Sequence, residues 1–461
     1  MFKGKCAALA EKNRWKLDVD LTNKNLDILL KEKEEKENTL IKVMPRVTTY
    51  RTMHYPAKPL KKDNTPSTTY ERWAHHCEEL RIDPESVTEI EIEVGSVAPN
   101  PSSHDQIKSW LFSLGWEPCS FKTNQKGKQV PQINSQDPAA KGELAPSVAR
   151  LIDKNPELKE LQGLFTLNHR KSILEGFLKQ VDEQGYVKAR IAGLTNTLRF
   201  KHADIVNLPG ISTPYGEYIR PCLIAPEGKE LCGSDMSSLE DRTKQHYMFQ
   251  WDPDYVKEMN VPGFDPHLDI AVTSGMMEQK DVEDYKKGIR VEELKPIRHG
   301  AKTTNYSCTY GAFPKKIASS TGMSLKEATI LWEAYWFRNW SITKIAESCQ
   351  VNEVNGQKWL YNPVSRFWYS LRYEKDRFST LNQGTGAYCF DVWLGLVLQE
   401  IDTLVGQFHD ELILVIDKKK GERDRIEKIL RNAIKKANEF LKLNRELDVG
   451  VDFGDNYGEI H

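Results

Sequence analysis

The chain has 461 residues, enough for two to four folding units at roughly 100–200 residues each. Its 39% apolar and 28% charged residues are those of a globular protein, and no apolar run reaches the ~18–20 residues of a membrane-spanning helix. With 65 basic against 66 acidic residues the net charge is -1, which excludes a uniformly basic nucleic-acid coat but not local basic patches. The first residues lead into polar sequence without the apolar stretch of a signal peptide, and the eight cysteines show neither a C-x-x-C pair nor His/Cys ligand spacing. Reduced thiols, a cytoplasmic location and no membrane partner are therefore expected.

In chain order, Leu26, Leu29, Leu30 and Leu40 around a charged stretch predict an amphipathic helix over residues 18–43. Residues 44–72 break that pattern with Pro45, Pro56, Pro59 and Pro66, and carry six basic residues against two acidic ones, so an extended basic excursion is expected. The alternation of Glu89, Glu91 and Glu93 with Ile90, Ile92 and Val94 predicts a half-buried strand with a wet face, which is a simpler reading than a metal site. Ser103 is placed to cap a helix over residues 104–114, residues 122–146 read as a long loop, and helical patterning resumes over residues 147–181. Strand-rich stretches follow near residues 188–199, 230–235 and 403–416, with a long aromatic-rich helical region between the second and third. The fold class expected is mixed α/β (α+β): a helical N-terminal part, then a sheet-containing part interrupted by a helical insertion.

Two acidic positions stand where apolar strands end. Asp235 closes Leu231–Ser234 just before a predicted helix, and His409-Asp410-Glu411 forms a polar turn between two apolar runs. Two carboxylates brought together from distant sequence are what a two-metal phosphoryl-transfer site needs, although a polar hairpin turn alone is a weak signal. A third element adds weight. Arg298, Lys302, Tyr306 and Tyr310 recur every four positions; each step drifts only ~40° around a helix, so they form one slanting stripe. Such a stripe packs an ordinary amphipathic helix, or clamps a triphosphate with its cations and a sugar and base with its rings.

Asp235-x-Ser-x-x-Glu240-x-Arg242, Arg298-x3-Lys302-x3-Tyr306-x3-Tyr310-Gly311 and His409-Asp410-Glu411 resemble, in this order, the A, B and C motifs of family A DNA polymerases, the DNA polymerase I type. The resemblance runs from about residue 11 to the end, and its details look most like replicative polymerases of short-tailed bacteriophages. It implies a right-hand polymerase with mainly helical thumb and fingers and an antiparallel-sheet palm. The implied domains are an N-terminal segment and thumb over residues 1–190, palm over 191–264 and 366–461, and fingers over 265–365. The implied reaction is template-directed addition of dNTPs to the 3′-OH of primer-template DNA with two Mg²⁺ ions, Mn²⁺ being a substitute.

Carried over residue by residue, the resemblance gives Asp235, Asp410 and the Met236 carbonyl to the metals, with Glu411 a nearby acidic residue. Arg298, Lys302 and His267 go to the triphosphate, and Lys302 is also the acid for the departing pyrophosphate. Glu240 becomes the gate against a ribose 2′-OH and Tyr306 packs at the nucleotide. Tyr310 goes to the templating base, His409 to the primer terminus, Gln383 and Arg220 to the minor groove, and Arg199 to the primer side. The thumb-like segment begins almost at the first residue, so no exonuclease domain is expected here, and proofreading would come from a separate exonuclease subunit. The 44–72 excursion sits where phage relatives bind a processivity factor; that factor, the duplex backbone and a merely solvated loop are its three readings. A single-subunit RNA polymerase shares the aspartates and the Lys/Tyr helix, but Glu240 and His-Asp-Glu argue against it. An inactive DNA-binding scaffold is the alternative outside enzymes.

Overall fold

The computed structural model describes residues 2–124, 127–135, 142–205 and 207–460. The chain divides into two compact units, one of residues 1–31, 120–145 and 166–461, the other of residues 32–119 and 146–165.

The larger unit is built on a four-stranded antiparallel sheet in the order Leu404–Phe408, Glu411–Asp417, Lys229–Asp235, Asp452–Gly454. Its two central strands are apolar on both faces because both faces are covered. Cys232, Leu412, Leu414 and Ile416 pack under the Arg377–Val397 and Glu422–Leu441 helices, against Trp393, Leu394 and Leu430. Leu231, Ile413 and Val405 face the other way, onto Trp15, Leu17 and Tyr457. This period-two sorting fixes the register, since a one-residue slip would exchange the two cores. Each fully buried leucine contributes roughly 1.5–3 kcal/mol of apolar transfer free energy.

A second core belongs to the helical insertion. Leu268, Leu294, Ala301, Cys308, Leu331 and Tyr335 join the helices Pro266–Thr273, Val291–Thr309 and Leu325–Arg338. The Met323 side chain lies directly against the second of these at Gly300, where a Cβ would come within 2.4 Å of its methyl. The insertion ends in a three-stranded meander, Val351–Val354, Gln357–Asn362 and Phe367–Leu371, which the helical pattern had hidden. Its first turn is the two-residue loop Asn355-Gly356, both at positive φ (52° and 75°), the geometry that a tight hairpin demands of Asn-Gly.

The smaller unit has its own core of Trp73, Cys77 and Ile90. Strands Val47–His54 and Glu89–Val97 pair along their full length, so the first part of the basic excursion is strand, and its end enters the Thr68–Glu79 helix capped by Ser67. The 89–97 strand buries only Ile90, which leaves its glutamates wet. Ser103 caps His104–Ser113, with its hydroxyl accepting from the Gln106 amide at 3.4 Å.

The expected loop over residues 122–146 contains a short hairpin, Phe121–Thr123 with Gln129–Pro131. Residues 125–126 and 136–141 of that stretch lie outside the described residues. Asp18 serves as a helix cap, its Oδ1 accepting from the Leu21 amide at 2.8 Å. Among the described residues no helix is long and apolar enough to cross a membrane.

Candidate active site

The sheet register places Asp235, the last residue of its strand, opposite Glu411. Phe408 pairs with Glu411 across the edge hairpin, so His409 and Asp410 are the whole turn. The Met236 amide donates to the Asp410 carbonyl at 3.0 Å, which brings the two aspartates side by side through backbone alone. On the other flank the Gly450 amide donates to the Asp235 carbonyl at 2.9 Å. A Cβ on Gly450 would stand 2.8 Å from Asp235 Oδ1, so this glycine keeps clear the space beside the carboxylate.

Burial pushes the Asp410 carboxyl up, Arg199 and His409 pull it down, and Asp235 adds to the rise. His409 holds φ 51°, an uncommon conformation outside glycine, and its Nε2 lies 3.4 Å from Asn207 Oδ1. These groups line a cleft of about 830 Å³ together with Arg199, Arg220 and Tyr457. Glu411 is buried, with the Tyr457 hydroxyl donating to it at 3.2 Å, and burial and that carboxylate raise the tyrosine's pKa. Arg220 lies over the Tyr457 ring at 4.8 Å and donates to the Pro209 carbonyl at 2.8 Å.

Glu240, in the first turn of Leu239–Met248, joins this cleft to the insertion. It accepts from Arg199 Nη2 and from the Tyr310 hydroxyl, both at 2.7 Å, and its own carbonyl accepts from Asn382 at 2.9 Å. Gln383 also reaches the Tyr310 hydroxyl, whose pKa is raised by burial and by Glu240. A smaller cavity of about 290 Å³ opens beside Glu240, lined by His267, Asn305, Tyr306 and Tyr310 and by Asp241 and Lys244.

The stripe residues Arg298, Lys302 and Tyr306 lie on Val291–Thr309, and Tyr310 is its C-cap. The His267 and Tyr306 rings sit 5.5 Å apart. Burial, helped by Arg298, Lys302 and Lys244 and opposed by Asp265, holds the His267 imidazole down at about 4. Lys302 is exposed and has no hydrogen-bond or ion-pair partner among the described residues. Arg298 is already paired: Nε and Nη2 both donate to Asp265 Oδ2, at 2.9 and 2.6 Å.

The structure thus gathers Asp235, Asp410, Glu411, His409, Arg199 and Arg220 around one cleft, with buried Met236 bonded to the Asp410 backbone beside it. Glu240, Tyr306, Tyr310 and His267 surround the other cavity, and Gln383 stands with Tyr310. Sequence reasoning gave no role to Asn207, Lys244, Asn305, Gly450 or Asp265. Asp265 had a local signal, an acidic residue directly before Pro266 at a helix start; the others are defined only by what they touch.

An antiparallel sheet ending in a carboxylate pair, faced by a helical insertion with its own cavity, is the frame of a right-hand polymerase domain. The fold agrees with the POL domain of Pol1 from M. smegmatis, solved in complex with DNA primer-template and dNTP, at a TM-score of 0.68 and 18% identity over 100% of this chain and 70% of that one. The model of DNA polymerase family A matches residues 74–459, and the chain belongs to that family. It is 25% identical over 387 residues to the thermostable DNA polymerase I of Thermus filiformis, covering 78% of this chain and 42% of the relative. To the DNA polymerase I of Helicobacter pylori it is 26% identical over 315 residues, 62% of this chain and 33% of that one. The chain therefore spans less than half the length of these curated relatives.

Proposed function

We propose that this chain is a DNA-directed DNA polymerase that adds dNMPs to a primer 3′-OH on a template strand. The observation that carries the proposal is the register setting Asp235 beside the His409–Asp410 turn. In this reading the domains are those expected from sequence, with the central sheet as palm and the helical insertion as fingers.

Two carboxylates and the Met236 carbonyl form a hard-oxygen donor set, and the space that Gly450 leaves open beside Asp235 suits a small divalent cation. We assign two Mg²⁺ ions to it, with Mn²⁺ as substitute. When bound, such ions supply Lewis acidity to the primer oxygen and to the phosphate being transferred.

The chain's own residues position the reactants. His409 and Arg199 meet the primer end and Arg220 its minor-groove side; Tyr310 and Gln383 meet the templating pair. Tyr306 packs on the nucleotide, and Glu240 closes the space that a ribose 2′-OH would need. Arg298, Lys302 and His267 hold the triphosphate. The primer 3′-OH loses its proton to water, its oxygen bonds to the α-phosphorus as the bond to the bridging oxygen breaks, and Lys302 gives a proton to the leaving pyrophosphate, for which it must come within hydrogen-bond reach. Catalysis then comes mainly from positioning and charge neutralisation.

The proposal extends to synthesis without trimming by this polypeptide, proofreading coming from a separate exonuclease subunit. It also places the protein in bacteriophage genome replication in the host cytoplasm. Residues 44–72 are assigned to a processivity factor or the duplex backbone, because Arg51, Lys58, Lys61 and Lys62 are all exposed there. Replacing those four by glutamate is expected to shorten the tract made per binding event, with or without host lysate; an unchanged tract would rule the assignment out.

The deciding experiment is extension of a labelled primer with Mg²⁺ and either dNTPs or rNTPs, including a mismatched 3′ end. Extension with dNTPs alone and an untrimmed mismatch is the expected result. Extension with rNTPs would point to an RNA polymerase, and tight DNA binding without any extension to a scaffold.

A further inference from the structure

The cations at the two cavities and those whose charge acts on His267 are unequally engaged. Arg199 is held by Glu240 at 2.7 Å, Lys244 by Asp241 at 2.9 Å and Arg298 by Asp265 at 2.6 Å, whereas Lys302 has no ion pair among the described residues. We propose that Asp265 is the resident counter-ion of Arg298, occupying the donors that a nucleotide's triphosphate takes, so that nucleotide enters by displacing a carboxylate. This rests on the polymerase reading of the cavity.

The two ends of the pair differ in freedom. One oxygen of Asp265 takes both Arg298 donors, while the other accepts from the His267 and Leu268 amides at 2.8 and 3.2 Å as the cap of Pro266–Thr273. The carboxylate is thereby fastened to backbone, and burial works against its charge, yet the Arg298 pair and the amides hold its pKa below the usual range. Buried Asn305 ties the two helices at this point, its amide reaching the Pro266 carbonyl at 3.5 Å and His267 Nδ1 at 3.4 Å. Arg298 is the long, half-exposed partner that can swing away.

An arginine uses only two of its five donors on Asp265, so the pair also keeps the guanidinium near its working place. The cost falls on affinity: a polyphosphate takes the Nε–Nη2 edge of Arg298, the edge that grips a phosphate with two parallel donors, only by giving up an existing ion pair. A partly exposed pair of this kind resists displacement by about fivefold in affinity. Asp265 acts through Arg298 and is a positioning residue, not a catalytic one.

The test uses the full chain and inorganic tripolyphosphate without divalent metal, with binding followed by calorimetry. Asp265→Asn keeps a good helix cap while removing the charge, and Asp265→Ser is a second capping variant should the first melt early. Asp269→Asn removes a carboxylate from the same helix that is paired to Arg338 at 2.9 Å, and so controls for net charge. The expected result is tripolyphosphate binding about fivefold tighter in Asp265→Asn, no gain in Asp269→Asn, and in primer extension a lower KM for dNTP without a higher kcat. Equal, weaker or unmeasurable binding in the Asp265 variants, or the same gain in Asp269→Asn, would overturn it. Failure of the wild type to extend primers would count against the polymerase reading alone, since the tripolyphosphate comparison still decides the role of Asp265.

Discussion

The two halves of the candidate active site are made by different means. At the carboxylate end the parts are joined by backbone: a seven-residue register between Lys229–Asp235 and Glu411–Asp417, the Met236–Asp410 hydrogen bond and the Gly450–Asp235 hydrogen bond. At the nucleotide end they are joined by side chains: Glu240 with Arg199 and Tyr310, and Asp265 with Arg298. Backbone pairing cannot rearrange without breaking the sheet, whereas side-chain ion pairs exchange partners readily. On the function proposed above, the difference teaches that the charge-neutralising end is preset and that the nucleotide end would trade contacts to take its ligand.

The largest expected effect tests the preset end directly. Asp410→Asn should lower primer extension by about 10²–10³-fold or more, with primer-template binding by gel shift nearly unchanged; retained extension would remove Asp410 from the chemistry. Gly450→Ala sharpens the comparison because it leaves every titratable group in place. Its Cβ would meet Asp235 Oδ1 at 2.8 Å, and a displacement near 1 Å costs about 10²-fold in rate. A near-normal melting temperature with that loss is expected, and a fully active variant would break the idea of a backbone-set carboxylate.

On the exchanging side, Tyr310→Phe deletes the hydroxyl that holds Glu240 at 2.7 Å. A drop of about tenfold in kcat/KM is expected from a lost charge-assisted bond, measured as single-nucleotide incorporation. A change as large as that of Asp410→Asn would erase the distinction between the two ends.

Smallest in its effect on the reaction is Asp391, on the helix that covers the sheet. Burial raises its carboxyl to about 6, with Lys3 at 2.6 Å opposing the rise. A folded-state pKa above the ordinary value contributes stability that is full below about pH 4 and is lost as pH rises through about 6. Asp391→Asn should therefore flatten the pH 4–6 part of the melting profile and leave nucleotide incorporation unchanged. A parallel fall in activity would show that the scaffold is tuned together with the site.

Much of the site was legible because its parts are local words: a strand ending in Asp235, a turn made of His409 and Asp410, a stripe at four-residue spacing. The meander over residues 351–371 was missed although Asn355-Gly356 carried a hairpin signal, because the aromatic helical pattern before it was extended too far. The loop expected over residues 122–146 hid a hairpin of three-residue strands, too short for alternation to register. Asn207, Lys244, Asn305 and Gly450 have no pattern of their own, being ordinary residues until a partner from distant sequence arrives.

By itself the sequence determined the types of chemistry available, because charge, ring and carboxylate are properties of residues and the helix and strand periods place them on one face or at one end. It determined the family for the same reason, through three motifs in order. Only the tertiary structure decided which groups meet: that Asp235 lies against the Asp410 turn, that Glu240 is held from both sides, and that Arg298 is already paired with Asp265 while Lys302 stands unpaired among the described residues. Those pairings depend on sheet register and helix packing, which are set by burying two cores at once and not by any single stretch of chain.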